Sequence, residues 1–206
     1  MIDLLRRRNI MIAKSKKIIG IEMYRSIYDD TFILYNNTLN ESQTAILEIQ
    51  QLASTSGGTP ILLSASPRHS TGDINGAVFY YGLNMPNNQI FIRGGGTWSD
   101  ASANPSPDNM VSMVINKDKL KIQLDGIDAA IKDISKYKSN FGNSINTGIG
   151  NANRNTIFYD FKVIEDGAEI CHIVPMMDSE IPILYDIVLN KKIEIPEDYI
   201  LKPIFK

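Results

Sequence analysis

The sequence is poor in the residues that most directly announce chemistry: one cysteine, two histidines and one tryptophan in 206 residues. A lone thiol, Cys171, excludes an internal disulfide and with it a small disulfide-stapled secreted scaffold; it fits assembly in a reducing cytosol. The cysteine and histidine count is too low for a four-ligand zinc site. No apolar run approaches the roughly 20 residues of a membrane span. Near the start, charges interrupt the apolar residues where a signal peptide would carry its core. A net charge of −2 gives the molecule as a whole no attraction to polyanions. The remaining composition, 43% hydrophobic and 21% charged, is that of an ordinary folded domain.

The charge that is present is unevenly placed. Residues 1–17 hold Arg6, Arg7, Arg8, Lys14, Lys16 and Lys17 against Asp3 alone, which leaves 15 basic and 22 acidic residues for the rest. Residues 1–19 therefore read as a separate basic arm or short helix. Its apolar side is Ile2, Leu4, Leu5, Ile10, Met11 and Ile12, and a free helix of this length is marginal in water. The expected role is assembly or anchoring through Leu4, Leu5, Arg6, Arg7, Arg8, Ile10 and Met11.

Residues 20–206 read as one β-domain. Strands are expected at 21–25, 31–35, 45–52, 61–65, 78–83, 89–93, 109–115, 119–124, 129–134, 145–149, 156–164 and 168–174, with turn chemistry every 8–12 residues or so. Two of these, 45–52 and 129–134, also satisfy helical spacing; their hairpin-like surroundings decide for strands. The clearest local signals are Asp125-Gly126 and Asp166-Gly167, each between runs of alternating polarity, the strongest short-range mark of a hairpin. The second strand of the last hairpin reads as closed by Pro175. Residues 191–206, with Pro196 and Pro203, read as an extended segment over the domain or on a neighbour.

In order, Met113-Val114-Ile115, Asp125-Gly126, Thr147 to Asn151, Phe158 to Glu165, Asp166-Gly167, His172 to Pro175 and Leu184-Tyr185-Asp186 resemble a known family. This is the concanavalin-like (laminin-G-type) jelly roll of tail, fibre and appendage proteins of phages of gut Bacteroides-like hosts. The resemblance spans roughly residues 45–195. It implies an all-β sandwich of two antiparallel sheets. The start Leu4 to Met11 is similar to the arginine-rich starts of such tail proteins, which implies an arm that attaches the chain to other virion proteins. The chain departs from the family at Ser179 to Pro182, where a Gly-rich link is usual, and in its entry over residues 21–35.

No catalytic constellation is legible. A glycosidase of this fold needs two carboxylates alternating on one strand, and no Glu-x-Asp-x-Glu pattern occurs. Glu165-Asp166 reads as a hairpin turn. His69 reads as a surface residue in the loop Pro67 to Ser70, and His172 as a packed or edge histidine. Its neighbour Cys171 faces the other side of the strand. Gly94-Gly95-Gly96 lacks the spacing of a phosphate loop and reads as a mobile loop.

Binding is the stronger expectation. Trp98 sits in a Gly/Ser/Pro-rich stretch beside Asp100 and Asn104, the composition of a saccharide loop with a stacking ring and hydrogen-bonding partners. Tyr80 and Arg68 complete the candidate glycan contacts. No metal is assigned: a rim calcium would use oxygens such as Asp73, Asn75 or Asp100, but Gly72 to Gly76 lacks a dense ligand run. The basic arm has no interleaved aromatics and the body is acidic, so protein docking is favoured over nucleic acid.

The expected function is that of a non-enzymatic virion component, a tail or head fibre, spike or receptor-binding decoration. It would assemble as a homo-oligomer in the host cytoplasm, with host surface polysaccharide as its ligand and no membrane or nucleic-acid partner. Two alternatives stand beside it: a bacterial surface carbohydrate-binding module, and a glycoside hydrolase of the same fold.

Overall fold

The structure, a computed structural model, describes residues 17–25, 32–35, 42–51, 61–64, 78–84, 87–94, 97–101, 106, 108–116, 119–133, 146–150, 156–195, 197 and 199–206. In chain order its strands are β1 (Ile18–Arg25), β2 (Phe32–Tyr35), β3 (Gln43–Gln51), β4 (Ile61–Ser64), β5 (Val78–Asn84), β6 (Asn87–Gly94), β7 (Thr97–Ala101) and β8 (Met110–Asn116). They continue with β9 (Lys119–Leu124), β10 (Ile127–Asp133), β11 (Asn146–Gly150), β12 (Thr156–Glu165), β13 (Ala168–Asp178), β14 (Ile181–Asp186), β15 (Lys191–Lys192) and β16 (Tyr199–Phe205). No helix occurs among the described residues. Both segments with helical spacing are strands, β3 and β10.

All pairing is antiparallel. One sheet runs β10-β9-β8-β3-β12-β13-β14-β15, with β1 joined to β12 and β16 joined to β1; the other runs β2-β11-β4-β5-β6-β7. Early strands pair with late ones in a nested order: β1 with β12, β2 with β11, β3 with β12 and β8, β4 with β11. That rolled, non-consecutive pairing is the jelly roll expected from the sequence.

Local chemistry explains the tight turns. Asp125 and Gly126 have φ of 52° and 81°, and Asp166 and Gly167 have 48° and 82°. Positive φ at both central residues is the type I′ hairpin turn, which Asp-Gly adopts with little strain. The turns link Leu124 to its partner Ile127, and Glu165 to Ala168.

One face of the ten-stranded sheet carries a closed apolar core. Ile21, Leu47, Ile49, Val111, Met113, Ile122, Phe158, Phe161 and Ile173 are all fully or almost fully buried there. Both phenylalanines lie three apart on β12, a spacing that puts residues of a regular strand on opposite faces. A bulge resolves this: Tyr159 is the extra residue between Phe158, opposite Ile49, and Asp160, opposite Glu48.

Several expectations need correction. Pro175 does not close its strand, because β13 continues to Asp178 and pairs Pro175 with Leu184. The ladder to β12 ends at Ile173. The His172 carbonyl accepts from the Ile187 N–H on the β14 side, so by alternation Pro175 turns its missing donor to the side that has no ladder. The described residues of 191–206 do not lie over the domain. They form β15 and β16, and β16 pairs with β1 from Ile18↔Phe205 to Arg25↔Tyr199. Gly94 ends β6 and pairs with Thr97, the first residue of β7, while Gly95 and Gly96 of the expected loop lie outside the described residues. Trp98 accordingly stands on a strand. Residues 1–16, His69, Arg68, Asp73, Asn75 and Asn104 lie outside the described residues.

Candidate functional site

The outer face of the ten-stranded sheet, opposite the core, is polar along its centre. Asp160 on β12 stands opposite Glu48 on β3, Glu48 opposite Ser112 on β8, Ser112 opposite Gln123 on β9, and Gln123 opposite Asp128 on β10. The next row places His172 on β13 opposite Lys162 on β12. Two bulges assemble the cluster. The Tyr159 bulge turns Asp160 outward, and Ile170 is an extra residue in β13 between Glu169, opposite Ile164, and Cys171, opposite Val163. The second bulge brings Glu169 to the same face as His172, three residues further on.

His172 is held at both ring nitrogens. Nε2 lies 2.7 Å from Asp160 Oδ1 and Nδ1 lies 2.9 Å from Glu169 Oε2. A neutral imidazole donates from one nitrogen, whereas the imidazolium donates from both. Lys162 Nζ lies 3.1 Å from Asp160 Oδ2 and 4.0 Å from Glu169 Oε1. Burial pulls the Lys162 ammonium down, but the Asp160 hydrogen bond and the charges of Asp160, Glu169 and Glu48 outweigh it and hold it above the usual lysine range. Asp160 is thus engaged through both oxygens.

An aromatic ring borders this cluster. Tyr159 donates from its hydroxyl to Gln50 Oε1 at 2.7 Å, and burial pushes its phenol up. The ring rests on Gly20 of β1, where an added Cβ would come 3.1 Å from the ring and 2.9 Å from Ile157 Cγ2. On the far side of the face, Lys121 Nζ lies 2.8 Å from Asp128 Oδ1, and Gln123 Nε2 donates to the same oxygen at 2.8 Å. Hydrogen bonds from Lys121 and then Gln123 hold the Asp128 carboxyl below its ordinary value. The arrangement offers planar amides, carboxylates and one ring on strands, with Ser112 itself buried, which suits hydrogen bonds to a polyhydroxylated ligand.

It does not suit nucleophilic catalysis through Cys171. That thiol is buried on the core face, 2% exposed, while His172 points the other way. Burial, and then its hydrogen bond to Asp186, push the thiol far up, so it stays protonated. Asp186 belongs to the scaffold. Its Oδ1 accepts from the backbone N–H of His172 at 3.2 Å and of Val188 and Leu189 at 3.0 Å, fixing the turn between β14 and β15. Among the described residues no group of three or more His, Cys, Asp or Glu is arranged to hold a metal ion.

Of the residues expected to bind ligand, three are described. The register places Tyr80 opposite Phe91 and Phe91 opposite Asp100, with Trp98 opposite Arg93. Tyr80, Asp100 and Trp98 therefore occupy positions on one face of β5–β7 in the six-stranded sheet. His172 is packed, as expected, with its side chain 17% exposed, but it packs at the centre of the outer-face cluster and not in the apolar core. Asp160, Lys162, Glu169, Glu48, Gln50 and Tyr159 carried no ligand expectation. The one sequence signal for them was the Phe-Tyr-Asp-Phe spacing, which buries both phenylalanines only with a bulge between them.

No protein-family model and no curated protein matches the sequence. Solved structures do. Sheep galectin-11 in complex with glycerol is similar at 6% identity and a TM-score of 0.42, over 66% of this chain and 98% of the galectin. A carbohydrate-binding module of Bacillus subtilis is similar at 14% identity and a TM-score of 0.44, over 71% of this chain and 96% of the module. An alginate lyase is similar at 10% identity and a TM-score of 0.39, over 70% of this chain and 75% of the lyase. Likenesses at this level leave fold and function to be argued from the chain's own pairing and side chains.

Proposed function

We propose that this chain is a non-enzymatic, lectin-like protein that binds saccharide on the outer face of its ten-stranded sheet. The observation that carries the reading is the polar row Asp160, Glu48, Ser112 and Gln123, bordered by Tyr159 seated on Gly20 and hydrogen-bonded to Gln50. Sugars are recognised by planar hydrogen-bonding groups together with an aromatic ring, and sites on strands are pre-organised. Hydrolysis by the same face is disfavoured, because a two-carboxylate mechanism needs both groups available. Asp160 is committed through both oxygens to His172 and Lys162. A further contact surface is proposed on β5–β7 at Trp98, Asp100 and Tyr80, joined by Arg68 and Asn104.

The biological setting we propose is a tailed-phage virion, in which the jelly roll is displayed as a fibre, spike or receptor-binding decoration. Residues 1–19 would anchor it to other virion proteins, and the ligand would be a host surface polysaccharide. The support is the sequence resemblance and the arginine-rich start. A bacterial surface carbohydrate-binding module uses the same face in the same way and differs only in setting.

A glycan array probed with the full chain, with Tyr159→Ala and Trp98→Ala alongside, tests the binding claim. Binding should appear with the wild type and fall with Tyr159→Ala, with no new reducing ends in the bound sugars. An array without hits, or cleavage of a bound sugar, would overturn it. Immunolabelling of purified particles tests the setting.

A further inference from the structure

We propose that Glu48 is the ligand-receiving carboxylate of the outer face and that the saccharide it receives is neutral, with acidic sugars rejected; this rests on the saccharide reading above. The carboxylates nearest Glu48 on this face, and Asp128 at the end of its row, are matched. Asp160 is paired with His172 and Lys162, Glu169 with the same two, and Asp128 with Lys121 and Gln123. Of these four carboxylates, Glu48 is the one that makes no hydrogen bond and no ion pair among the described residues, although its charge is felt at Lys162. It is also half-buried and stands directly opposite another carboxylate, Asp160.

Like charges facing each other across a ladder destabilise a sheet, and local violations of this kind concentrate at functional positions. Glu48 sits in the polar row between Asp160 and Ser112, two residues before Gln50 on β3, so that the Tyr159–Gln50 pair lies beside it. A free carboxylate there accepts charge-assisted hydrogen bonds from sugar hydroxyls. A uronate or sulfated sugar would instead bring another anion against Glu48, Asp160 and Glu169, with Lys162 the one permanently charged cation among them. In a partly desolvated site that repulsion is substantial.

The test is a titration of the wild type, Glu48→Gln and Glu48→Lys with matched pairs of neutral and uronate hexamers built from mannose, glucose and galactose units. The wild type should bind the neutral member of a pair about tenfold more tightly. Glu48→Gln should weaken that binding about fivefold, by removing the charge assistance, and raise the Tm by about 1–3 °C through relief of the repulsion with Asp160. Glu48→Lys should reverse the preference within a pair. Tighter binding of the uronate by the wild type, or a Glu48→Gln variant with unchanged affinity, would overturn the inference while leaving the saccharide reading standing. A Glu48→Gln variant with a lower Tm would also overturn it, since Glu48 would then be serving the fold. Failure of every hexamer to bind would remove both.

Discussion

Replacing Asp186 by alanine takes away one acceptor that serves three backbone N–H groups. Oδ1 receives His172, Val188 and Leu189 at 3.0–3.2 Å, and the residue is 1% exposed. A hydrogen bond to a charged group is worth roughly 1.5–3 kcal/mol net. The three share one oxygen, and water can reach the exposed N–H groups of the turn, so they do not add. The expected cost of Asp186→Ala is about 3 kcal/mol, or about 10 °C in Tm for a chain of this length. Asp186→Asn keeps the shape and loses the charge, and should cost about half as much. Burial pushes the Asp186 carboxyl up, but the N–H of Leu189, the Cys171 thiol and the N–H groups of His172 and Val188 outweigh it and hold it below the usual range. A depressed folded value means that the stabilisation is complete above the unfolded value of about 3.9 and is lost as pH falls through the folded one. Calorimetry at pH 7 should show the full gap between wild type and Asp186→Asn, and acidification below about pH 4 should close it. An Asp186→Ala Tm within about 2 °C of wild type, or a gap that widens in acid, would refute the reasoning.

Gly20→Ala forces a Cβ to within 2.9 Å of Ile157 Cγ2 and 3.1 Å of the Tyr159 ring; a loss of about 1–3 kcal/mol in urea denaturation is expected, together with weaker saccharide binding as Tyr159 shifts. Phe161→Ala empties a fully buried position and should lower the urea midpoint by an amount equivalent to about 3–5 kcal/mol. Cys171, buried and bonded to Asp186, should stay unreactive to a disulfide reagent in the native state and titrate as one thiol in guanidinium. Gly126→Ala and Gly167→Ala, each at a φ near +80° in open space, should cost about 1 kcal/mol apiece by thermal melting.

What the sequence made legible was local. Asp125-Gly126 and Asp166-Gly167 carry their turn type in two residues, and alternation in Leu120, Ile122 and Leu124 declares a face. The outer-face cluster was hidden because it depends on register. Tyr159 meets Gln50 across 109 residues, and Glu169 shares a face with His172 only through the extra Ile170. Trp98 was obscured by its neighbours: the run of glycines before it reads as a loop in the sequence, while Thr97 to Ala101 pair as a strand. Pro175 of β13 misled in a similar way. Pro175 and Pro182 both stand within strands, at positions where the ladder on one side has ended. Strand β16 was missed because its partner, β1, lies at the opposite end of the described chain.

The most direct measurement is amide chemical-shift mapping of the isotopically labelled full chain during titration with the strongest saccharide from the array. Perturbations should concentrate at Glu48, Gln50, Ser112, Tyr159, Asp160, Lys162 and His172, on adjacent strands of one sheet face. Shifts confined to β5–β7, or spread over the core-facing residues with none at these positions, would contradict the claim that the outer face of the ten-stranded sheet is the binding site.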